Sequence, residues 1–262
     1  MTEQKPAFKP SLGLVDATMI VAGSMIGSGI FIVSADMLKD LGSSGWLITA
    51  WLITGFMTLT AALSYGELSA MFPKAGGQYV YLKEAYNPFI GFLYGWSFFS
   101  VIQTGTIAAV AVAFAKFLGY IRPELGDGNT IWQVTSTFKI TAAQLVGIAL
   151  IILLTYINTK GIKTGKIIQT SFTTAKLLAL FGLIAFGFLL ASSADVWNQN
   201  WSDAWNVKQH ASRAGSTDNS WFPLTGMIAL GAMAWAMVGS IFSSDAWNNV
   251  TFIAGEVKNP KR

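Results

Sequence analysis

Gly23-Ser24-Met25-Ile26-Gly27-Ser28-Gly29-Ile30-Phe31 lies at the centre of an uncharged apolar run from Ala17 to Ala35. The run is long enough to cross a bilayer, yet its middle is built from glycine and serine, which are poor residues for a helix interior. A second apolar run, from Trp221 onward, is interrupted in the same manner at Phe242-Ser243-Ser244-Asp245-Ala246-Trp247-Asn248-Asn249. Hydrocarbon offers backbone groups no partner, so irregular backbone at membrane depth is tolerated only where protein buries it or a cavity wets it. Two such breaks, one near each end of the chain, point to a binding site at the midplane.

The rest of the sequence agrees with a membrane setting. Hydrophobic residues make up 53% of the chain and charged residues 11%, against about 25% charged in soluble domains. Charge-free windows fall at 17–35, 45–66, 85–115, 140–159, 177–194 and 219–244. They predict six helical spans, approximately 12–36, 46–71, 87–118, 140–157, 167–191 and 222–254, in a single transmembrane domain. These windows are too long for barrel strands and lack period-two alternation, so the predicted class is all-α. The first apolar run is also too long for a signal-peptide core and has no small-residue cleavage site behind it. It is expected to remain as an anchor.

Lysine and arginine set the expected orientation. With the N-terminus in the cytoplasm, ten of them fall inside (Lys5, Lys9, Lys74, Lys83, Lys160, Lys163, Lys166, Lys258, Lys261, Arg262) and five outside (Lys39, Arg122, Lys139, Lys208, Arg213). That bias predicts an inside N-terminus. It also accounts for the net charge of +4 without any need to invoke nucleic acid. The chain has no cysteine, which excludes disulfides, thiolate metal sites and cysteine nucleophiles. The single histidine, His210, lies in a polar connection and reads as a solvated loop residue. No metal-binding, nucleotide-binding or hydrolase motif is present, so neither enzyme chemistry nor a cofactor is expected.

Between the spans, Pro73-Lys74-Ala75-Gly76-Gly77 ends one helix, and the following stretch to Leu82 reads as a re-entrant turn or short in-plane helix. Residues 119–139 read as a flexible loop. The segment 192–221, with Trp197, Trp201, Trp205 and Trp221, suits an interfacial amphipathic helix.

Each candidate site residue carries two readings. Gly27-Ser28-Gly29, behind Gly23-Ser24, frees amides at the start of a half-helix, where the dipole favours a carboxylate or phosphate; a small-residue packing stripe is the alternative. Phe242, Ser243, Ser244 and Asp245 free carbonyls suited to an ammonium group. Asp245 can also cap the half-helix that follows it. Lys176 sits about ten residues into the fifth span, either snorkelling or standing as a fixed ammonium among carbonyls. Asp16 suits the dipole of a helix first turn. Phe242, Trp235 and Trp247 can line or lid a pocket, or simply face lipid.

Five blocks, in order, give the chain a resemblance to a known family: Gly23 through Phe31; Glu67 with Pro73 through Tyr81; Asn158 with Gly161, Lys163 and Gly165; Phe172-Thr173-Thr174-Ala175-Lys176; and Phe242 through Asn248 with Glu256 and Asn259-Pro260. The chain resembles the amino acid–polyamine–organocation transporters, and among them the L-type amino acid transporter-like permeases. The resemblance implies a five-plus-five inverted repeat with the first helix of each repeat unwound around the substrate. It implies that amides around Ser24, Ser28 and Gly29 hold the substrate carboxylate, while carbonyls of Met25, Phe242 and Asp245 hold its amino group. Gly27, Ser243 and Ser244 complete the expected site, Phe242 is the expected gate, and Lys176 takes the place of a sodium ion.

Family members commonly have glycine where this chain has Ala246 and a larger residue where it has Ser244, so side-chain specificity stays open. They also run to roughly twice this length, which implies one repeat plus the first helix of the next, as in a fragment or truncated reading frame. The expected function is sodium-independent amino acid permeation or exchange at the plasma membrane, with an accessory subunit an open question. An amino acid sensor that has lost transport is the alternative.

Overall fold

The computed structural model describes residues 10–133, 135, 139–160, 162–190 and 193–258. Six helical segments are long and apolar enough to cross a membrane: Leu14–Leu41, Ser44–Met71, Pro88–Ile121, Ala142–Thr159, Ile167–Leu189 and Gly226–Glu256. At most 17% of the most apolar stretch of any of them is buried inside the protein. Side chains such as Leu52, Phe56, Phe99, Ile152 and Phe181 therefore point outward, the reverse of a water-soluble bundle and the arrangement hydrocarbon requires. The chain is an all-α, multi-pass membrane protein.

The described residues form two compact units, one built from residues 1–77 and 169–262, the other from residues 78–168. In the first unit, the opening span is two helices, α1 (Leu14–Met25) and α2 (Gly29–Leu41), followed by the unbroken α3 (Ser44–Met71). After the boundary come most of α8 (Ile162–Leu189), the short α9 (Ala194–Ser202) and α10 (Gly226–Ser243). A 3-10 segment, Trp247–Glu256, kinked at Ile253, completes the last span. The core of this unit is Met37, Leu41, Ala50 and Ala236, with Val33, Trp51, Met233 and Met237 packed around it.

The broken spans run antiparallel, side by side, from Leu12 beside Glu256 to Leu41 in the core with Ala236. At one end Ser11 and Leu12 donate to the Glu256 carbonyl at 2.9 and 3.0 Å, and Lys258 donates to the Leu12 carbonyl at 2.9 Å. Toward the other end, a Cβ on Gly239 would stand 2.8 Å from Val33 Cγ1, so α2 and α10 pack together because Gly239 has no side chain.

The second unit holds α4 (Gln78–Ala85), α5 (Pro88–Ser97), a π-helical turn at Phe98–Gln103, α6 (Thr104–Ile121) and α7 (Ala142–Thr159). Asn87 caps α5 through bonds from the amides of Phe89 and Ile90, both 3.0 Å, and Pro88 suits the first helical position. Gly91 faces Lys83 on α4 and Gly95 faces the Tyr79 ring, whereas Gly105 meets open space. Buried Ala111, Ala115, Ala143 and Gly147 bring α6 against α7, the small-residue contact expected in lipid.

Several boundaries differ from the sequence expectation, each for a visible reason. The opening span continues past Asp36 to Leu41 because Asp36 pairs with Lys39 at 3.0 Å, and Asp40 is buried against Arg213 rather than ending the helix. The loop 119–139 is not plain coil. Strand β1 (Thr130–Gln133) pairs antiparallel with β2 (Lys139–Thr141). Likewise β3 (Lys208–His210) pairs with β4 (Trp221–Pro223), so the last span begins at Gly226 and not at Phe222. His210 is half-buried, its ring nitrogens 2.7 Å from Ser212 Oγ and 2.9 Å from Asn219 Oδ1, with Trp221 edge-on. It ends a short strand and stays partly exposed while making these bonds. The amphipathic segment is α9, with Trp197 and Trp201 exposed on it. The short helix after Pro73 is α4. The backbone is already helical from Ile162; of the basic stretch there, Gly161 and the side chains of Lys163 and Lys166 lie outside the described residues, as do Lys5, Lys9, Asn259, Pro260, Lys261 and Arg262.

Candidate functional site at the paired helix breaks

Residues 26–28 separate α1 from α2, and residues 244–246 separate α10 from the 3-10 segment. Glycine and serine produce the first break locally. The Ile26 amide still reaches the Ala22 carbonyl at 2.9 Å, but the Gly27 amide turns back to Met25 at 3.0 Å instead of reaching Gly23. The helix resumes only when Phe31 donates to Ser28 at 3.1 Å. Among the described residues, the amides of Ser28, Gly29 and Ile30 have no partner in the protein. They form the positive end of α2.

At the second break, Ser244 closes α10 by donating to the carbonyls of Ser240 and Ile241, and Asp245 donates to Phe242 at 3.4 Å. Ala246 then takes the left-handed conformation, with φ 68°, and the chain re-enters helix at Trp247. The carbonyls of Ser243, Ser244 and Asp245 accept no bond among the described residues. Ala246 is the residue that caps the 3-10 segment, and it makes no side-chain capping bond. The reading of Asp245 as a helix cap is therefore corrected: its side chain is exposed at the break.

The breaks meet at one place. A Cβ on Gly29 would collide with the Ser243 hydroxyl and lie 3.1 Å from Ser243 Cβ, so only glycine allows this approach. The Ser243 Oγ atom is buried there and has no hydrogen-bond partner. One end of the contact thus carries free amides, the other free carbonyls, with an unpaired hydroxyl between them. A molecule bearing a carboxylate and an ammonium on one carbon has the matching charge pattern. Ser24 and Met25 are half-buried beside the break, and Gly27 and Ser28 are exposed. Phe242 is 73% exposed and Trp235 67%, while Trp247 is half-buried and packs edge-on against Tyr65 at 4.9 Å.

Lys176 lies on the other side of the first break. Its Nζ donates to the Gly23 carbonyl at 3.1 Å, the carbonyl that loses its helical partner when Gly27 turns away. The ammonium thus satisfies an orphaned acceptor at the negative end of α1 instead of reaching outward. Thr173, one turn back on α8, is buried and donates to the Met19 carbonyl at 3.4 Å. Any Cβ on Gly23 would strike Thr173 and Gln169. Gln169, Thr173 and Lys176 form a polar stripe at i, i+4 and i+7, a signal present in the sequence that marks the face of α8 turned toward α1. Asp16 accepts from the Gly13 amide at 2.9 Å in the first turn of α1, as its position suggests. No cluster of metal-ligating side chains occurs among the described residues.

Comparison with known proteins agrees with this arrangement. The pattern of the family described as amino acid permease matches residues 12–262. The human "Large neutral amino acids transporter small subunit 2" is 30% identical over 97% of this chain and 42% of its own length. The mouse "Asc-type amino acid transporter 1" is 29% identical over 99% of this chain and 44% of its own. The "Serine/threonine exchanger SteT" of Bacillus subtilis is 29% identical over 100% of this chain and 51% of its own. The chain spans about half the length of these relatives, all of them transporters or exchangers by name and none an enzyme. Six apolar spans, two of them broken and paired, and a family match from Leu12 to the last residue establish that this chain belongs to the amino acid permease family.

Proposed function

We propose that the chain supplies the substrate-holding half of a sodium-independent amino acid permease or exchanger that works by alternating access. The observation that carries this reading is the contact of Gly29 with Ser243, which joins the free amides of Ser28, Gly29 and Ile30 to the free carbonyls of the second break. The amides, with Ser24 and Gly27 shaping the turn, take the substrate carboxylate. Carbonyls at Met25, Phe242 and the 243–245 break, together with Asp245, take the amino group. Ser243 Oγ supplies a further bond to the carboxylate. Phe242, exposed beside the break, is the residue that closes over a bound substrate.

Lys176 stands in for a cation. Its ammonium already occupies the carbonyl that the first break exposes, so binding and transport have no need of sodium. The lysine and arginine bias supports a cytoplasmic N-terminus, and the family membership supports residence in the plasma membrane. One relative is by name a small subunit; an accessory subunit for this chain stays an expectation without an identified partner.

Counterflow tests the reading. Liposomes carrying the chain completed by the other half of the permease, and preloaded with unlabelled neutral amino acid, should accumulate external labelled amino acid equally in sodium and in choline buffer. Saturable binding with no counterflow would identify a sensor instead, and uptake that collapses in choline would remove the role given to Lys176.

A further inference from the structure

The segment between α9 and α10 grips the end of α2 at several points. Arg213 Nη2 donates to the Asp36 carbonyl at 2.9 Å and to Asp40 Oδ2 at 2.8 Å. Gly42, at φ 52°, lies directly against the Lys208 carbonyl and the Trp221 ring. Beyond it, Ser43 donates to the Ala204 carbonyl, and Trp46 Nε1 donates to the Trp205 carbonyl at 2.8 Å. Asp40 is 2% exposed, and its Oδ1 has no partner. A cavity of about 200 Å³ opens beside the pair, lined by Asp36, Asp40 and Arg213 and, from α10, by Trp235, Ala236 and Gly239.

We propose that Arg213 and Asp40 form a clasp that holds α2 in place, so that movement of this half-helix is governed by an ion pair on the connecting segment. Three physical facts carry the assignment. Residues 26–28 uncouple α2 from α1, so helical hydrogen bonding does not fix its direction. A carboxylate buried this deeply needs its guanidinium, so the pair holds as long as α2 stays where it is. The cavity lies at the ion pair itself, beside exposed Trp235 and Val238, so the pair is reached without disturbing the packed core of Met37, Leu41 and Ala236. This assignment goes beyond the ligand reading of the breaks and does not depend on it.

The absence of native cysteine makes thiol accessibility a clean test. Val33→Cys reports on the α2–α10 contact, and Thr173→Cys, buried where α8 meets α1, serves as the reference. Each is labelled with a membrane-impermeant maleimide in the purified protein. In the Arg213→Gln background the Val33→Cys site should react about tenfold faster, with the Thr173→Cys rate unchanged. Arg213→Lys, which retains the charge, should stay near the parental rate. Asp40→Asn, which keeps shape and removes charge, should reproduce the selective acceleration. An unchanged Val33→Cys rate in both charge-removing variants, or equal acceleration at both reporters, would overturn the clasp.

Discussion

Ala246 holds a left-handed conformation that costs a side-chain-bearing residue about 1–2 kcal/mol. Nothing but the second break demands it: the chain must turn from the end of α10 into the 3-10 segment within three residues. Ala246→Gly should therefore stabilise the protein by about 1 kcal/mol, read as a rise of a few degrees in the melting midpoint in detergent, and Ala246→Val should lower it. At Gly29 the opposite holds, because a side chain would strike Ser243. Gly29→Val separates the amides from the carbonyls, and substrate affinity should fall by about tenfold to a hundredfold, the worth of bonds to a charged group. For Lys176→Ala, loss of the ammonium leaves the Gly23 carbonyl unpaired, a cost of about 1–3 kcal/mol, to be measured as a lower melting midpoint.

The elements hold together through few polar ties in an apolar setting. Thr54 on α3 and Ser240 on α10 are both fully buried, 2.7 Å apart, and Ser240 also accepts, through its carbonyl, the Ser244 amide that closes α10. The hydroxyl pair therefore ties α3 to the edge of the second break. A double-mutant cycle with Thr54→Val and Ser240→Ala should give a coupling of about 0.5–1.5 kcal/mol, the range measured for hydrogen bonds between membrane helices. Additive effects would show that the hydroxyls serve their own helices alone. At this scale the sequence was readable where composition decides. Long uncharged windows found the six spans, Pro73 and Gly77 found the turn before α4, glycine with serine found the first break, and Ser243-Ser244-Asp245 found the second. It was unreadable where distant residues decide. The first span looked finished near Asp36 because Arg213, the partner that lets the helix run on through Asp40, lies 173 positions from Asp40. The hairpin through Trp221 was hidden because its strands are three residues long and pair across an intervening 3-10 turn. Asp245 was given a capping role that its own neighbour Ala246 takes by backbone geometry.

Across the whole first unit, the pairing of two broken spans explains why a surface of free amides and a surface of free carbonyls face each other. The bonds of Leu12 with Glu256 and Lys258 fix one end, Val33 against Gly239 fixes the other, and Gly29 against Ser243 lies between them. Register at both ends therefore sets the distance between the breaks, and the family match over residues 12–262 covers both of them. The measurement that bears hardest on this account is equilibrium binding of a panel of radiolabelled amino acids to the purified protein, in sodium and in choline, beside the Gly29→Val variant. The account predicts saturable binding that requires both the α-amino and the α-carboxyl group, is the same in either salt, and is weakened about tenfold to a hundredfold in Gly29→Val. An affinity left unchanged by the Gly29→Val substitution, or binding that needs sodium, would contradict it.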